Sequence, residues 1–240
     1  MGRVERQSGS CWFTIYVMAF VHLRLHSEYS IADGIVRLKD AVAAAAQDNQ
    51  PALALTDLNN TFGFIKFYKA ARAKGVKPIL GTDVFITNEA ERDRPYRALL
   101  LIQNEAGYKN LCELLSRAYL TNSYKDRAEV RFEWFAEFAG GLLCLSGAST
   151  GEVGQCLLTG SEQSMALAGQ AAQRYAQVFG DRFYLEVQRV GSADDERLLR
   201  QTVALALQTK LVLVATHPVQ FLKPEDYRSH EARVCIAQGD

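Results

Sequence analysis

What this 240-residue sequence lacks narrows its chemistry first. Its five cysteines, Cys11, Cys112, Cys144, Cys156 and Cys235, are odd in number and scattered, with no Cys-x-x-Cys. That pattern argues against a disulfide framework and against a zinc knuckle, and it fits a reducing cytoplasm. Neither charge is in excess, with 27 basic and 27 acidic residues, so composition gives no general drive toward nucleic acid and any such contact must be local. The apolar run from Trp12 to Val21 is far shorter than the roughly 20 residues a membrane helix needs. The glycine-containing stretch 146–154 has no Gly-Lys-Ser/Thr, which argues against a nucleotide-binding P-loop.

Arg3 and Arg6 ahead of the Trp12 run give a superficial likeness to a secretory leader, but no small-residue cleavage site follows. The simpler expectation makes Met18 the natural start, residues 1–17 an N-terminal extension and 18–240 one domain. With 48% apolar residues, the chain can bury the core of one large α/β domain or two small ones.

Periodicity organises the rest. A strand at 22–26 is followed by an amphipathic helix marked by Ile35, Leu38, Val42 and Ala45. Six more strands are expected at 52–57, 78–83, 98–103, 141–147, 183–188 and 211–216. Helices are expected around Phe62 to Ala71, Tyr108 to Ala118, Phe132 to Ala139, Gln163 to Phe179, Asp195 to Gln208 and Pro224 to Ile236, with 121–131 and 146–154 as loops. Seven strands alternating with helices predict a parallel sheet, open or closed into a barrel, whose site lies at the C-terminal strand ends. His26, Asp33, Asp57, Asp83, Arg97 and His217 all fall near such ends, although Arg97 precedes its strand.

The stretch His22-Leu23-Arg24-Leu25-His26-Ser27-Glu28-Tyr29-Ser30-Ile31-Ala32-Asp33-Gly34 carries the chemistry. Side chains alternate along a strand, so His22, Arg24 and His26 are expected on one face. Imidazoles two apart with a following carboxylate suit a metal, but a guanidinium has no lone pair to ligate one and repels a cation beside it. Ser27 points away from His26, which disfavours a nucleophile pair. Asp57 fits either a base or a cap, and His22 either a ligand or a packed histidine. Lys66, Lys69 and Arg72 share a helical face, with Lys74 and Lys77 beyond. Such a row is usually a solvated face, and it could touch DNA phosphate or an acidic partner.

Phe20 to Ser30, Asp33-Gly34, Ala54-Leu55-Thr56-Asp57, Lys77-Pro78-Ile79-Leu80-Gly81, Asn104 to Leu111, Leu145-Ser146-Gly147 and Val214-Ala215-Thr216 appear in an order that resembles the polymerase and histidinol phosphatase (PHP) domain. More narrowly, they resemble the version at the N-terminus of bacterial replicative DNA polymerase III alpha subunits. The resemblance implies a distorted seven-stranded (βα)7 barrel whose active members bind up to three divalent metals through nine ligands and hydrolyse phosphoesters. By position this chain keeps His26 and Asp33, and has Asp83 where glutamate is usual. Arg24, Leu58, Arg97, Ala148, Pro218 and Gln220 replace the other ligands, so the metal site is expected to be degenerate. If any metal bound, His26, Asp33 and Asp83 would be its ligands.

Two lost imidazoles have become arginines while acids remain, so a metal-free salt-bridge cluster of Arg24, Arg97, Asp33, Asp57 and Asp83 is expected. No cofactor is then needed. The resemblance implies a nucleotidyltransferase parent whose polymerising carboxylates lie beyond this domain, so the chain is not expected to synthesise DNA alone. Expected partners are the remainder of the alpha subunit and a proofreading exonuclease, with DNA contact weak or indirect and no membrane. The competing expectations are a Mn-, Zn- or Mg-dependent phosphoesterase, acting as a pyrophosphatase or a 3′–5′ exonuclease, and a free-standing regulatory PHP-like protein.

Overall fold

The computed structural model describes residues 2–8, 11–17 and 20–239, the side chains of 2–17 and 238 excepted. The expected boundary at Met18 lies outside the described residues. Strands β1 (Gly2–Ser8) and β2 (Cys11–Val17) pair antiparallel with each other.

Beyond them the chain alternates. Strand β3 (Arg24–Leu25) leads into α1 (Leu38–Gln47), β4 (Ala52–Leu55), α2 (Phe64–Ala73), β5 (Lys77–Ile86), β6 (Tyr96–Ile102) and α3 (Glu105–Thr121). A small hairpin, β7 (Ser123–Tyr124) and β8 (Arg127–Ala128), precedes the single turn α4 (Phe135–Phe138) and β9 (Leu142–Leu145). Then come α5 (Glu152–Leu158), α6 (Ser164–Phe179), β10 (Phe183–Val187), α7 (Asp195–Thr209), β11 (Val212–Ala215), β12 (Pro218–Val219) and α8 (Tyr227–Gln238).

Six strands form one sheet in the order β11-β10-β9-β6-β5-β4. Backbone bonds from Ala54 to His22 and from Thr56 to Leu25, each 2.9 Å, lay β3 along β4, and β12 pairs parallel with β3. The sheet therefore curls as a half-barrel. The large apolar cluster lies between the sheet and its helices, built on residues such as Phe67, Leu111, Phe135 and Phe179. A smaller one, Leu99, Leu101 and Leu145 with Leu23, Ile79 and Val214 against them, fills the concave side.

Two expectations need correction. The sheet is not all parallel: β6 runs antiparallel to both β5 and β9. The 87–95 connection from β5 to β6 holds no helix, and parallel neighbours need a longer crossover, so the chain turns straight back. The first residues of β6 consequently sit at the same end as the last residues of the parallel strands, which is why Arg97 reaches the site while standing early in its strand. Second, 146–154 is not wholly loop, because α5 begins at Glu152. A Cβ on Gly154 would lie 1.8 Å from the Ala148 carbonyl oxygen, so glycine there serves close packing of the helix rather than a flexible loop.

Candidate functional site: a buried charge cluster

Period-two alternation places the interior-facing residues in layers. Cross-strand pairing of Asp83 with Leu99, and of Leu99 with Leu145, gives them one face. Above the Leu99 and Leu145 layer the interior turns charged. Arg24 of β3 is buried, and its Nε and Nη2 donate to the Glu186 carboxylate at 3.1 and 2.9 Å while Nη1 donates to Asp83 Oδ2. The planar guanidinium suits this fork, and the two charge-assisted bonds to Glu186 fix its orientation.

Glu186, fully buried in β10, has no idle oxygen. Its Oε2 also accepts the Gly147 amide at 3.0 Å, and its Oε1 accepts the Gln188 amide at 3.1 Å and the Thr216 hydroxyl. Gly147 can present that amide because its φ is +82°, and a Cβ there would lie 2.2 Å from the Arg97 carbonyl oxygen.

His26 sits between two acids, with Nδ1 2.8 Å from Asp33 Oδ2 and Nε2 3.4 Å from Asp83 Oδ2. The second contact is electrostatic, since Nε2 makes no well-aligned hydrogen bond. Arg97 Nη1 lies 3.1 Å from Asp33 Oδ2 and 3.6 Å from Asp83 Oδ2, and its guanidinium stacks 5.0 Å from the Phe85 ring centre. Gln220 donates to the Asp33 carboxylate and backbone carbonyl, both at 3.1 Å.

These neighbours set the protonation states. Burial alone would lower the His26 imidazole, but Asp33 and Asp83 raise it above its usual value. Burial alone would raise both carboxyls. For Asp83 the Arg24 charge dominates the opposite pull, and for Asp33 the His26 hydrogen bond and the Arg97 charge do, so both acids titrate below the usual range. Three cationic groups, Arg24, His26 and Arg97, thus face three acidic ones, Asp33, Asp83 and Glu186. Asp83 Oδ1 is left buried without a donor.

The other candidate residues lie elsewhere or carry no charge. Asp57 accepts from the Ser27 amide and hydroxyl and from the Ser30 hydroxyl, at 2.6 to 2.9 Å. It makes no ion pair with either arginine among the described residues, and burial raises its carboxyl above the usual range. Leu58 makes a bridge to Asp83 through backbone only, and Ala148 and Pro218 offer no side-chain donor atom. His22 does not share the Arg24 face: it lines an outer pocket with Leu25, Asp48 and His217, and its ring packs 4.9 Å from Phe20 and 6.3 Å from His217. Regular strand covers Arg24 and Leu25 only, so alternation does not extend back to it. Glu186 was not a sequence candidate. Its signal was a lone acid inside the apolar run Phe183-Tyr184-Leu185-Glu186-Val187, a position that requires a buried partner.

The implied ligands His26, Asp33 and Asp83 are engaged with one another and with two guanidinium groups. Among the described residues no group of three His, Cys, Asp or Glu side chains is arranged to hold an ion.

A curled α/β sheet with charged strand ends defines the class, and comparison with known proteins agrees. Residues 22–190 match the PHP domain, and the chain belongs to that family. It is 48% identical over 226 residues to the DNA polymerase III subunit alpha of Neisseria meningitidis. It is 44% identical over 221 residues to that of Pseudomonas fluorescens. Each alignment takes in 92% of this chain but only 19% of the relative. A solved amidohydrolase from Chromobacterium violaceum, with bound sulfate and no metal, superposes with a TM-score of 0.59 at 15% identity. That match covers 90% of this chain and 97% of the other, and it speaks for the fold alone. No described helix is long and apolar enough to cross a membrane.

Proposed function

We propose that this chain is the PHP domain of a bacterial replicative DNA polymerase alpha subunit in which a degenerate metal site serves as architecture. The domain is catalytically silent. It supports the polymerase body and provides a docking module for a proofreading exonuclease, with weak or indirect DNA contact. The observation that carries this reading is the buried Arg24 guanidinium held by Glu186 and Asp83. A fixed cation at that point repels a metal and supplies charge balance in its place. Likeness to polymerase alpha subunits supports the cellular setting.

The test is hydrolysis of bis-p-nitrophenyl phosphate, pyrophosphate and DNA 3′ ends with Mn, Zn or Mg added, beside co-elution with the exonuclease subunit. The expected result is no chelator-sensitive turnover and a stable co-eluting complex. Turnover that disappears with chelator and with His26→Ala would instead establish a phosphoesterase.

A further inference from the structure

The concave interior of the sheet is filled unevenly. Beneath the charge cluster it is closed, with Leu99, Leu101 and Leu145 buried. Toward the opposite end, where the parallel strands begin and antiparallel β6 finishes, Leu23, Ile79, Leu143, Tyr184 and Val214 are only half-buried. Side chains ordinarily fill the inside of a small barrel. Here they leave a pocket of about 590 Å³, a volume within the roughly 300–1,000 Å³ of small-molecule sites.

Strands β5, β6, β9, β10 and β11 and the Leu23 residue ahead of β3 all contribute to its wall. That wall combines aliphatic side chains with the rings of Tyr68 and Tyr184, and Leu101 and Leu145 belong to the buried layer at its inner end. Charge is confined to the rim. Among the described residues no acid, histidine or arginine lines the pocket, and Lys77 is its one charged side chain. Lys77, Gln103 and Tyr68 are exposed, so they stand at the opening. Lys66, Lys109 and Lys125 each have an acid partner, whereas Lys77 makes no ion pair among the described residues.

We propose that this lower pocket binds a small amphipathic anion, an aliphatic carboxylate whose chain enters the barrel and whose head meets Lys77. The apolar wall accounts for the chain, because burial there removes both ligand and wall from water. A single unpaired ammonium at the opening accounts for the head: it favours an anion by a charge-assisted hydrogen bond and repels a cation. A slender chain also suits a wall drawn from five strands, since it can enter between them end-on. The pocket shares no residue with the charge cluster, so absence of binding would leave the proposed scaffold role standing.

The test uses the whole protein and the fluorescent probe anilinonaphthalene sulfonate, displaced by decanoate, decanol or decylamine below their micelle concentrations, with calorimetry of decanoate alone as a direct measure. Saturable decanoate binding with a negative heat-capacity change is expected, decanol should bind more weakly, and decylamine should not compete. Lys77→Gln should weaken decanoate about tenfold and leave decanol unchanged, a split that a general loss of structure would not give. Leu143→Trp and Val214→Phe, which fill the pocket from different strands, should each abolish both, with circular dichroism confirming that the variants are folded. The proposal is overturned by absence of saturable decanoate binding, by binding that neither filling variant alters, or by decylamine competing as well as decanoate. Binding that emerges only after residues 1–17 are removed would assign the pocket to the chain's own N-terminal segment and overturn it too.

Discussion

Replacing Arg24 with methionine removes a cation from between two carboxylates whose side chains are wholly buried. Breaking a buried pair from one side costs about 3–5 kcal/mol, because the remaining charge is stranded away from water. Here Glu186 would keep its bonds from Gly147, Gln188 and Thr216, while Asp83, with Oδ1 already lacking a donor, would keep only His26 and Arg97. The loss should therefore fall in that range. With a urea slope of roughly 2 kcal/mol per molar, the unfolding midpoint moves down by about 2 M. Its pH dependence identifies the cause. In the native protein Asp83 titrates low, so its contribution is fully present above the unfolded carboxyl value and disappears as pH falls through the folded one. In Arg24→Met the largest influence holding it low is gone, its value rises, and protonation relieves the stranded charge. The deficit should be largest near neutrality and shrink as pH falls toward 4, and Asp83→Asn added to Arg24→Met should restore at least about 1 kcal/mol. Urea melts followed by circular dichroism from neutral pH downward measure this. A deficit below about 1 kcal/mol, or one that does not change with pH, would refute the reasoning.

His26 has its imidazole raised by two acids, so its stabilising charge is complete below the unfolded value and is lost as pH rises through the folded one. Its ring protons followed by NMR should titrate above 6.5, the ordinary value, and His26→Gln should remove the accompanying decline in stability on the alkaline side; a midpoint below the ordinary value contradicts the cluster. Gly147→Ala places a Cβ 2.2 Å from the Arg97 carbonyl oxygen at a φ of +82°. It should cost about 1–3 kcal/mol in thermal or urea melts, and an unchanged melt would show that the backbone there moves freely.

Much of this arrangement was visible in the residues, for identifiable reasons. Hydrophobic periodicity located the main strands and most helices because burial sets it. Arg24 and Arg97 stood out because a guanidinium cannot take over the chemistry of an imidazole ligand. The direction of β6 was hidden, since period-two alternation reads the same both ways and only the helix-free 87–95 connection signals a reversal. Glu186 was hidden because it belongs to no short motif; only its burial in an apolar strand marks it. Asp57, expected among the arginines, has Ser27 and Ser30 as partners. That difference lies in the loop after β3, whose path alternation does not fix.

Metal content bears most directly on the account's central claim, that arginines occupy the charge balance of this PHP site. Elemental analysis of the whole protein, purified without chelator and again after dialysis against Mn, Zn and Mg, should find each metal well below one per chain, with thermal stability unchanged by chelator. One or more tightly held ions per chain, lost together with stability in His26→Ala or Asp83→Ala, would contradict it.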